Sequence, residues 1–384
     1  MKYRILGKTG LKVSILGFGC MRLPIKNPST KEVDEDEAIR LIRMGIDGGI
    51  NYVDSAYRYH GSKSEIILGK ALKDGYREKV ILETKLYVPK LNTTNDFEKL
   101  LDEQLRKLDV KCIDVYLIHG LNFSRYQGKI EKLGIIEEAK NAKKLGKIKH
   151  FGFSSHDKPE NIRKLIDTGF FEVMLVQYNL LHRDNGEIIK YAAEKGMGVI
   201  LMGPNAGGRL GLKPPESMKE FLTPTRENFI DLGFKFVWSN PGVTVALSGM
   251  GSEQMVRDNL EIATQENIDL SPDEQVRIEN IAKGYKKIAE INCTQCGYCE
   301  PCDQEVNIRL ILDLLMLSVG CAGDWEEAKA KYKLIGNHEK YPGKNAEACI
   351  ECKECESRCP QEIPIVERIQ QTHRLLTGLD SYNI

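Results

Sequence analysis

The 384-residue chain has no surplus charge of either sign: 55 lysines and arginines stand against 55 aspartates and glutamates. A neutral chain has no field with which to gather nucleic acid or an anionic membrane, so neither is expected as a partner. No run of about 18 apolar residues occurs, which excludes a conventional spanning helix. The opening MKYRILGKTG has no apolar stretch of the kind that directs secretion, so the cytoplasm is the expected compartment. Cysteine is nearly absent from the body, where only Cys20 and Cys112 precede residue 293, whereas nine fall between Cys293 and Cys359. A secreted disulfide scaffold would spread its cysteines through a short chain. A dense terminal group reads instead as a metal-binding module. With 41% hydrophobic and 29% charged residues, the chain is expected to bury a core rather than stay disordered.

What is present in residues 1–262 is an alternation. Short β-branched runs (VSILGFG 13–19, INYVD 50–54, KVILETK 79–85, CIDVYLIH 112–119) continue as KHFGFSS 149–155, VMLVQYN 173–179, GVILMG 198–203 and TVALSGM 244–250. Between them lie stretches such as NDFEKLLDEQLRKLD and DKPENIRKLIDTG, apolar at three- and four-residue steps. Near-continuous apolar strands joined by helical crossovers predict a parallel sheet covered on both faces. Eight such units predict an α/β fold of the (β/α)8 TIM barrel type. An open doubly wound sheet is the alternative, but GFGCMR after the first strand lacks the G-x-G-x-x-G spacing of a dinucleotide fold. YRILGKTGLKV ahead of it predicts a hairpin around Lys8-Thr9-Gly10, plugging the barrel's N-terminal end.

In a barrel, chemistry belongs where strands end. Asp54, Lys85 and His119 end strands two, three and four; Ser154 and Ser155 end strand five; Gln177 and Asn179 end strand six. Tyr59 follows in the loop after strand two. Each alone has an ordinary reading: a buried ion pair, a hydrogen-bonded core histidine, a packed tyrosine. Converging polar groups on one rim costs desolvation energy that a purely structural barrel has little reason to spend.

The stretch Asp54-Ser-Ala-Tyr-Arg-Tyr59, then Glu-Thr-Lys85, then Asp-Val-Tyr-Leu-Ile-His119, resembles the aldo-keto reductase family in order and spacing. The opening KTGLKVSILGFGCMRL is similar to that family's start. The resemblance implies a barrel that binds a nicotinamide cofactor and reduces a carbonyl or oxidises an alcohol. Tyr59 would then be the general acid, Lys85 the cation that lowers its pKa, Asp54 the partner of Lys85, and His119 a hydrogen-bond donor to substrate oxygen. The resemblance also places Ser154, Ser155 and Gln177 on the nicotinamide carboxamide, with Met202 where an aromatic commonly stacks. Gly203 and Gly207 in GPNAGGRLG, and Ser248, Gly249, Gly251, Gln254 and Asn259 around the last barrel helix, form the expected phosphate and nucleotide cradle. Only Arg257 is basic there, so NADPH or NADH is the expected cofactor.

The expected domains are a barrel over 1–268 and a helical ferredoxin-like domain over 269–384. Ser271-Pro-Asp-Glu274 carries a capping box. Then come Cys293, Cys296, Cys299 and Cys302 at x2 spacing and, 46 residues on, Cys349, Cys352, Cys355 and Cys359-Pro360. The second run has the bacterial ferredoxin spacing of a [4Fe–4S] cluster. Zinc also binds C-x2-C pairs, but two such runs favour two [4Fe–4S] clusters. Since the remote fourth cysteine of each run closes the other cube, Cys293, Cys296 and Cys299 pair with Cys359, and Cys349, Cys352 and Cys355 with Cys302. The first run departs from the pattern, with Pro301 before Cys302. NIRLILDLLML and DWEEAKAKYKLI read as helices between the runs. Cys20, Cys112 and Cys321 read as small apolar fillers. The whole resembles the aldo-keto reductases that carry a C-terminal ferredoxin domain.

Three functions remain in view. An oxidoreductase could couple hydride transfer to the clusters, with a small-molecule carbonyl or alcohol as substrate and a ferredoxin or flavoprotein as electron partner; a flavin has no motif here. A carbonyl reductase could use the clusters purely as staples. A redox sensor could bind nicotinamide without turnover, which the acid-base set argues against.

Overall fold

In the computed structural model, residues 1–27, 32–214, 216–288, 291, 293, 295, 297–316 and 325–379 are described. Expected ligand Cys296 and expected filler Cys321 lie outside them. The chain forms two compact units. The first comprises Met1–Lys26, Val33–Pro204 and Phe234–Asp269, and the second Asn27–Glu32, Asn205–Gly233 and Leu270–Ile384.

The first unit is a closed barrel of eight parallel strands: β1 (Leu16–Gly19), β2 (Tyr52–Asp54), β3 (Ile81–Leu86), β4 (Ile113–Ile118), β5 (Ile148–Ser155), β6 (Val173–Gln177), β7 (Gly198–Met202) and β8 (Val245–Ser248). They follow one another around the barrel in chain order, and β8 closes on β1 through Ala246–Leu16, Leu247–Gly17 and Ser248–Phe18. Helices between strands bury one stripe, as the three- and four-residue spacing predicts. Asp96–Leu108 buries Phe97, Leu100, Leu101, Gln104 and Leu108, and Pro159–Asp167 buries Ile162, Leu165 and Ile166.

The barrel interior is filled by alternate residues of the strands, with Tyr52, Val115, Leu117, Val173, Leu175, Ile200 and Leu247 in one cluster. Period-two alternation then carries the next inward position of each strand to the rim: Asp54 above Tyr52, His119 above Leu117, Gln177 above Leu175 and Met202 above Ile200. The fold therefore needs no special loop to gather these side chains. Strand phase does it.

The opposite end is closed by the antiparallel hairpin Tyr3–Ile5 with Lys12–Ser14. Its turn enters the barrel: Leu6 is fully buried in the interior cluster, and Lys8 N–H donates to Gly196 O at 2.8 Å. Gly7 sits at φ +52, where a Cβ would lie 2.3 Å from Gly198 N, so only glycine fits the approach. Arg4 holds the hairpin outside, donating to the carbonyls of Val243 and Trp238 at 2.5 and 2.6 Å.

In the second unit the helix Pro272–Ile288 starts at a complete capping box: Glu274 N–H donates to Ser271 Oγ at 3.2 Å, and Ser271 N–H to the Glu274 carboxylate at 2.9 Å. Residues 205–233, expected with the barrel, belong to this unit because their side chains pack on that helix. Phe229 meets Tyr285 edge-on at 6.4 Å, Arg277 caps the carbonyl of Leu222 at 2.7 Å, and Met218 fills the space over Gly284. Helices Ile308–Met316, Trp325–Lys333 and Ile365–Thr377 pack together around a separate core. Among the described residues, no helix is long and apolar enough to cross a membrane.

The plug carries a testable cost. Leu6→Ala removes a buried side chain that backbone at Gly198 cannot collapse to replace, so a loss of about 2–5 kcal/mol is expected. Denaturant unfolding followed by circular dichroism measures it, and an unchanged midpoint would show that the hairpin is not part of the core.

Candidate active site

Four expected residues meet at the rim of the first unit. Lys85, 1% exposed, extends from β3 and donates to the Asp54 carboxylate and, at 2.8 Å, to Ser55 O. Its ammonium also lies 5.3 Å from the Tyr59 ring centre, and Tyr59 meets His119 edge-to-face at 6.0 Å and 89°. Burial opposes the Lys85 charge, but Asp54, Tyr59 and Glu83 overcome it and hold its pKa above the ordinary lysine value. Lys85 is thus a permanent cation beside a phenol. Burial, then the charges of Lys85 and His156, push His119 well below the usual imidazole range, so its ring is neutral at physiological pH.

A second carboxyl group lies beneath this set. Glu83, fully buried and paired in register with Asp54, has Oε1 3.3 Å from Lys85 Nζ and accepts from Tyr52 OH at 2.5 Å on Oε2. Burial pushes its carboxyl well above the usual range; Lys85 pulls the other way, and Asp54 adds to the rise. One ammonium cannot balance two carboxylates in a dry interior, and Glu83 is the one held toward its protonated form.

Loop contacts fix Tyr59 and His119. His60, at φ +51, accepts from Leu23 N–H at 3.2 Å and hydrogen-bonds the backbone of Cys20 and Met21, clasping the β1 loop to the tyrosine. Ser154 Oγ accepts from Gly120 N–H at 2.9 Å, just past His119, and Ser155 Oγ accepts from Asp157 N–H at 3.1 Å. The two serines thus brace loops in this state. Gln177 pairs in register with Met202, so both end side by side.

Where the nucleotide is expected, Ser248 accepts from Asn259 Nδ2 at 2.9 Å, and Asn259 Oδ1 is buried with no hydrogen-bond partner among the described residues. The Arg22 stem lies on Gly249, where a Cβ would sit 2.9 Å from its Cβ, and a Cβ at Gly251 would lie 3.0 Å from Arg22 O. Ser252 caps the helix Glu253–Thr264. Glu253 binds Arg40 at 2.7 Å and Arg257 at 2.6 Å, and exposed Gln254 turns to Asp258 at 2.9 Å. Gly203 follows β7 and its carbonyl accepts from Asn179 at 2.8 Å, whereas Gly207 falls in the second unit.

In that unit, Cys302, Cys349, Cys352 and Cys355 line one cavity of about 100 Å³, with Val306, Ile308, Val366 and Ile369 among its apolar walls. Cys293, Cys299 and Cys359 lie in or against the same core. Among the described residues, no three His, Cys, Asp or Glu side chains are grouped closely enough to hold a single metal ion.

The comparisons fit this geometry. The family model "Aldo/keto reductase family" matches residues 15–283, and "4Fe-4S dicluster domain" matches 292–364. The chain belongs to the aldo/keto reductase family. Its tail carries a 4Fe–4S dicluster domain. This aldo/keto reductase is 30% identical over 221 residues to "Probable aldo-keto reductase 1" of Glycine max, covering 54% of this chain and 60% of that one. It is 26% identical to "Uncharacterized oxidoreductase YqkF" of Bacillus subtilis, over 68% of this chain and 91% of the relative. Its fold is similar to that of aldo-keto reductase AKR11C1 from Bacillus halodurans in its holo form: TM-score 0.62, 28% identity, covering 73% of this chain and 96% of that one.

Sequence reading missed Glu83, because a glutamate in a strand reads as solvent-facing until the barrel closes over it. It also missed an internal repeat. Cys302-Asp-Gln-Glu-Val-Asn-Ile308 corresponds to Cys359-Pro-Gln-Glu-Ile-Pro-Ile365, each ahead of a helix. Gln295 and Glu351 share φ +57, Gly297 and Lys353 lie at +75 and +59, and Glu305 and Glu362 at +61 and +50. The described residues of the two cysteine runs thus turn at matching positions, a signal that aligning the chain with itself would have found.

His119 gives a pH test. Its folded pKa is depressed, so below the ordinary value of 6.5 the unfolded chain binds more protons than the folded one. The stability tied to neutral His119 is therefore present above that value and lost as pH falls below it. Unfolding free energy measured between about pH 5 and 7 is expected to drop more steeply for the wild type than for His119→Gln. Equal slopes would mean the imidazole is not buried neutral.

Proposed function

We propose that this aldo/keto reductase transfers hydride between a nicotinamide cofactor and a small carbonyl or alcohol, and that its tail holds two [4Fe–4S] clusters that exchange electrons with that reaction. The observation that carries the reading is the meeting of Tyr59, Lys85, Asp54 and neutral His119 at one rim. A bound nicotinamide supplies or accepts hydride at the carbonyl carbon. Negative charge then grows on the carbonyl oxygen, and Tyr59 OH is the group that gives it a proton. The Lys85 cation eases that loss by favouring phenolate, and Asp54 keeps the cation in place. Neutral His119 donates a hydrogen bond to the same oxygen without competing as an acid.

Support for the nucleotide is the rim itself. Gln177, Ser154 and Ser155 offer polar groups for a carboxamide, and Met202 offers an apolar surface. Asn259 Oδ1 is an open acceptor for an amino group. Gly203, Gly249 and Gly251 allow close backbone approach, the helix Glu253–Thr264 begins beside the last two, and the Arg22 stem crosses there. Because Glu253 already binds Arg40 and Arg257, a 2′-phosphate would have to displace an ion pair, which favours NADH over NADPH. A crystal structure of a Klebsiella pneumoniae aldo/keto reductase of the same fold, 22% identical with TM-score 0.61, covering 73% of this chain and 96% of that one, is described as a complex with NADP and acetate.

Cys302, Cys349, Cys352 and Cys355 suit one cluster, since they line a cavity with no tight single-ion site. By the repeat, Cys293, Cys296, Cys299 and Cys359 suit the other. Clusters pass single electrons and hydride carries two, so a flavin or a flavoprotein is the carrier that would divide the pair, with a ferredoxin as the onward partner.

Tyr59→Phe is expected to lower carbonyl reduction by about 10²–10⁴-fold while nicotinamide binding, read by fluorescence, is retained. A near-normal rate would remove Tyr59 from the chemistry. Coupling is read separately, by titrating the anaerobic protein with NADH and NADPH in the presence of flavin. Bleaching of the brown absorbance near about 400 nm is expected, at lower NADH than NADPH. Full carbonyl reduction without bleaching would make the clusters structural.

A further inference from the structure

The described residues of the two cysteine runs share their backbone turns but not their surroundings. Aligning the repeats pairs Ile308 with Ile365, and so sets Arg309 opposite Val366. Val366 is part of the wall of the cavity formed by Cys302, Cys349, Cys352 and Cys355. The equivalent wall of the first cage is therefore an arginine. Its position agrees: a Cβ on Gly297, in the turn between Cys296 and Cys299, would lie 3.4 Å from an Arg309 guanidinium nitrogen and 3.5 Å from its Cδ. The counterpart of Gly297 in the second run is Lys353, so the Arg309 side chain packs in van der Waals contact over a position that carries no side chain of its own. Arg309 Nε is buried and has no hydrogen-bond partner among the described residues. A buried guanidinium N–H left unpaired is costly, and cluster sulfur is an acceptor that would satisfy it.

Resting on the two-cluster reading above, we infer that Arg309 is a positioning residue that presents a fixed cation and a hydrogen-bond donor to the first cluster, raising its reduction potential above that of the second. Adding an electron makes a cluster more negative, so a cation held against it in a low-dielectric wall favours the reduced form. Neighbouring groups act in the same sense. Gln295 donates through its side chain to Cys293 Sγ at 3.6 Å, and the Arg209 guanidinium donates to the carbonyl of Cys293. Around the second cage the wall is apolar at Val366, and the charged groups lining it, Asp303 and Glu354 with Lys353 and Arg358, balance by sign. Cys352 there is exposed, so water screens those charges. The cages are thus inequivalent: an electron entering the tail rests at the first cluster, not the second. In this step each [4Fe–4S] core takes one electron, from 2+ to 1+, with no bond made or broken.

The test is an anaerobic potentiometric titration of the full-length, cluster-loaded protein with dithionite as reductant, followed by electron paramagnetic resonance. Wild type is expected to show two separate one-electron steps. Arg309→Gln keeps the length of the side chain but drops the charge, and is expected to shift the higher step down while the lower stays in place. Arg309→Lys restores a cation and is expected to return the step toward wild type. Steps unmoved by Arg309→Gln, or both steps moved equally by Gln and Lys, would overturn the inference. A wild-type chain that binds fewer than about eight irons when loaded would instead overturn the two-cluster reading, and this inference with it.

Discussion

The barrel is built around one buried ammonium. Lys85 is the cation of a closed interior that also contains Asp54, Glu83 and Tyr52, and every neighbour is arranged to keep its charge. Desolvation alone would neutralise a lysine at that depth. Asp54 prevents it, Ser55 supplies a carbonyl, and Glu83 takes the side of the neutral acid, so the group is not left with excess negative charge. Removing Asp54 would leave the ammonium uncompensated where water cannot reach. Tyr59 and His119 both lie within its reach: the ammonium sits 5.3 Å from the phenol ring centre, and burial together with the same charge keeps the imidazole neutral. The same ion thus acts on a phenol and an imidazole at once.

The tail answers a different constraint. A domain that must hold large inorganic groups cannot fill its core with side chains, so it wraps short cysteine runs around space instead. Positive φ values recur at Gln295 and Glu351, then at Gly297 and Lys353, so the backbone turns at matching places in the two runs. Backbone N–H groups then point at sulfur, as Glu351 N–H does at Cys349 Sγ, 3.4 Å away. Reusing one path for both runs leaves side chains such as Arg309 and Val366 as the variables.

Much of this was legible in order along the chain. The eight strands and their crossovers follow from apolar runs and helical spacing, and the plug from a glycine-flanked turn. The meeting of Asp54, Lys85 and His119 follows from strand phase, since inward residues two apart must share a column. Glu83 was not legible, because its two-residue offset from Lys85 says only that both face one way. Whether that face is wet or dry depends on closure. Nor was the placement of residues 205–233 with the tail, which rests on Phe229 and Met218 meeting a helix about 60 residues later.

Local pattern therefore determined the elements, the residues that meet at the rim and the ligand type of the tail, because periodicity and spacing are properties of neighbours in the chain. Tertiary structure alone decided which carboxyl group is held toward its protonated form, which imidazole stays neutral and which cysteine run lies beside Arg309. Those outcomes depend on distance and exclusion of water between residues far apart in sequence, and no spacing along the chain encodes either.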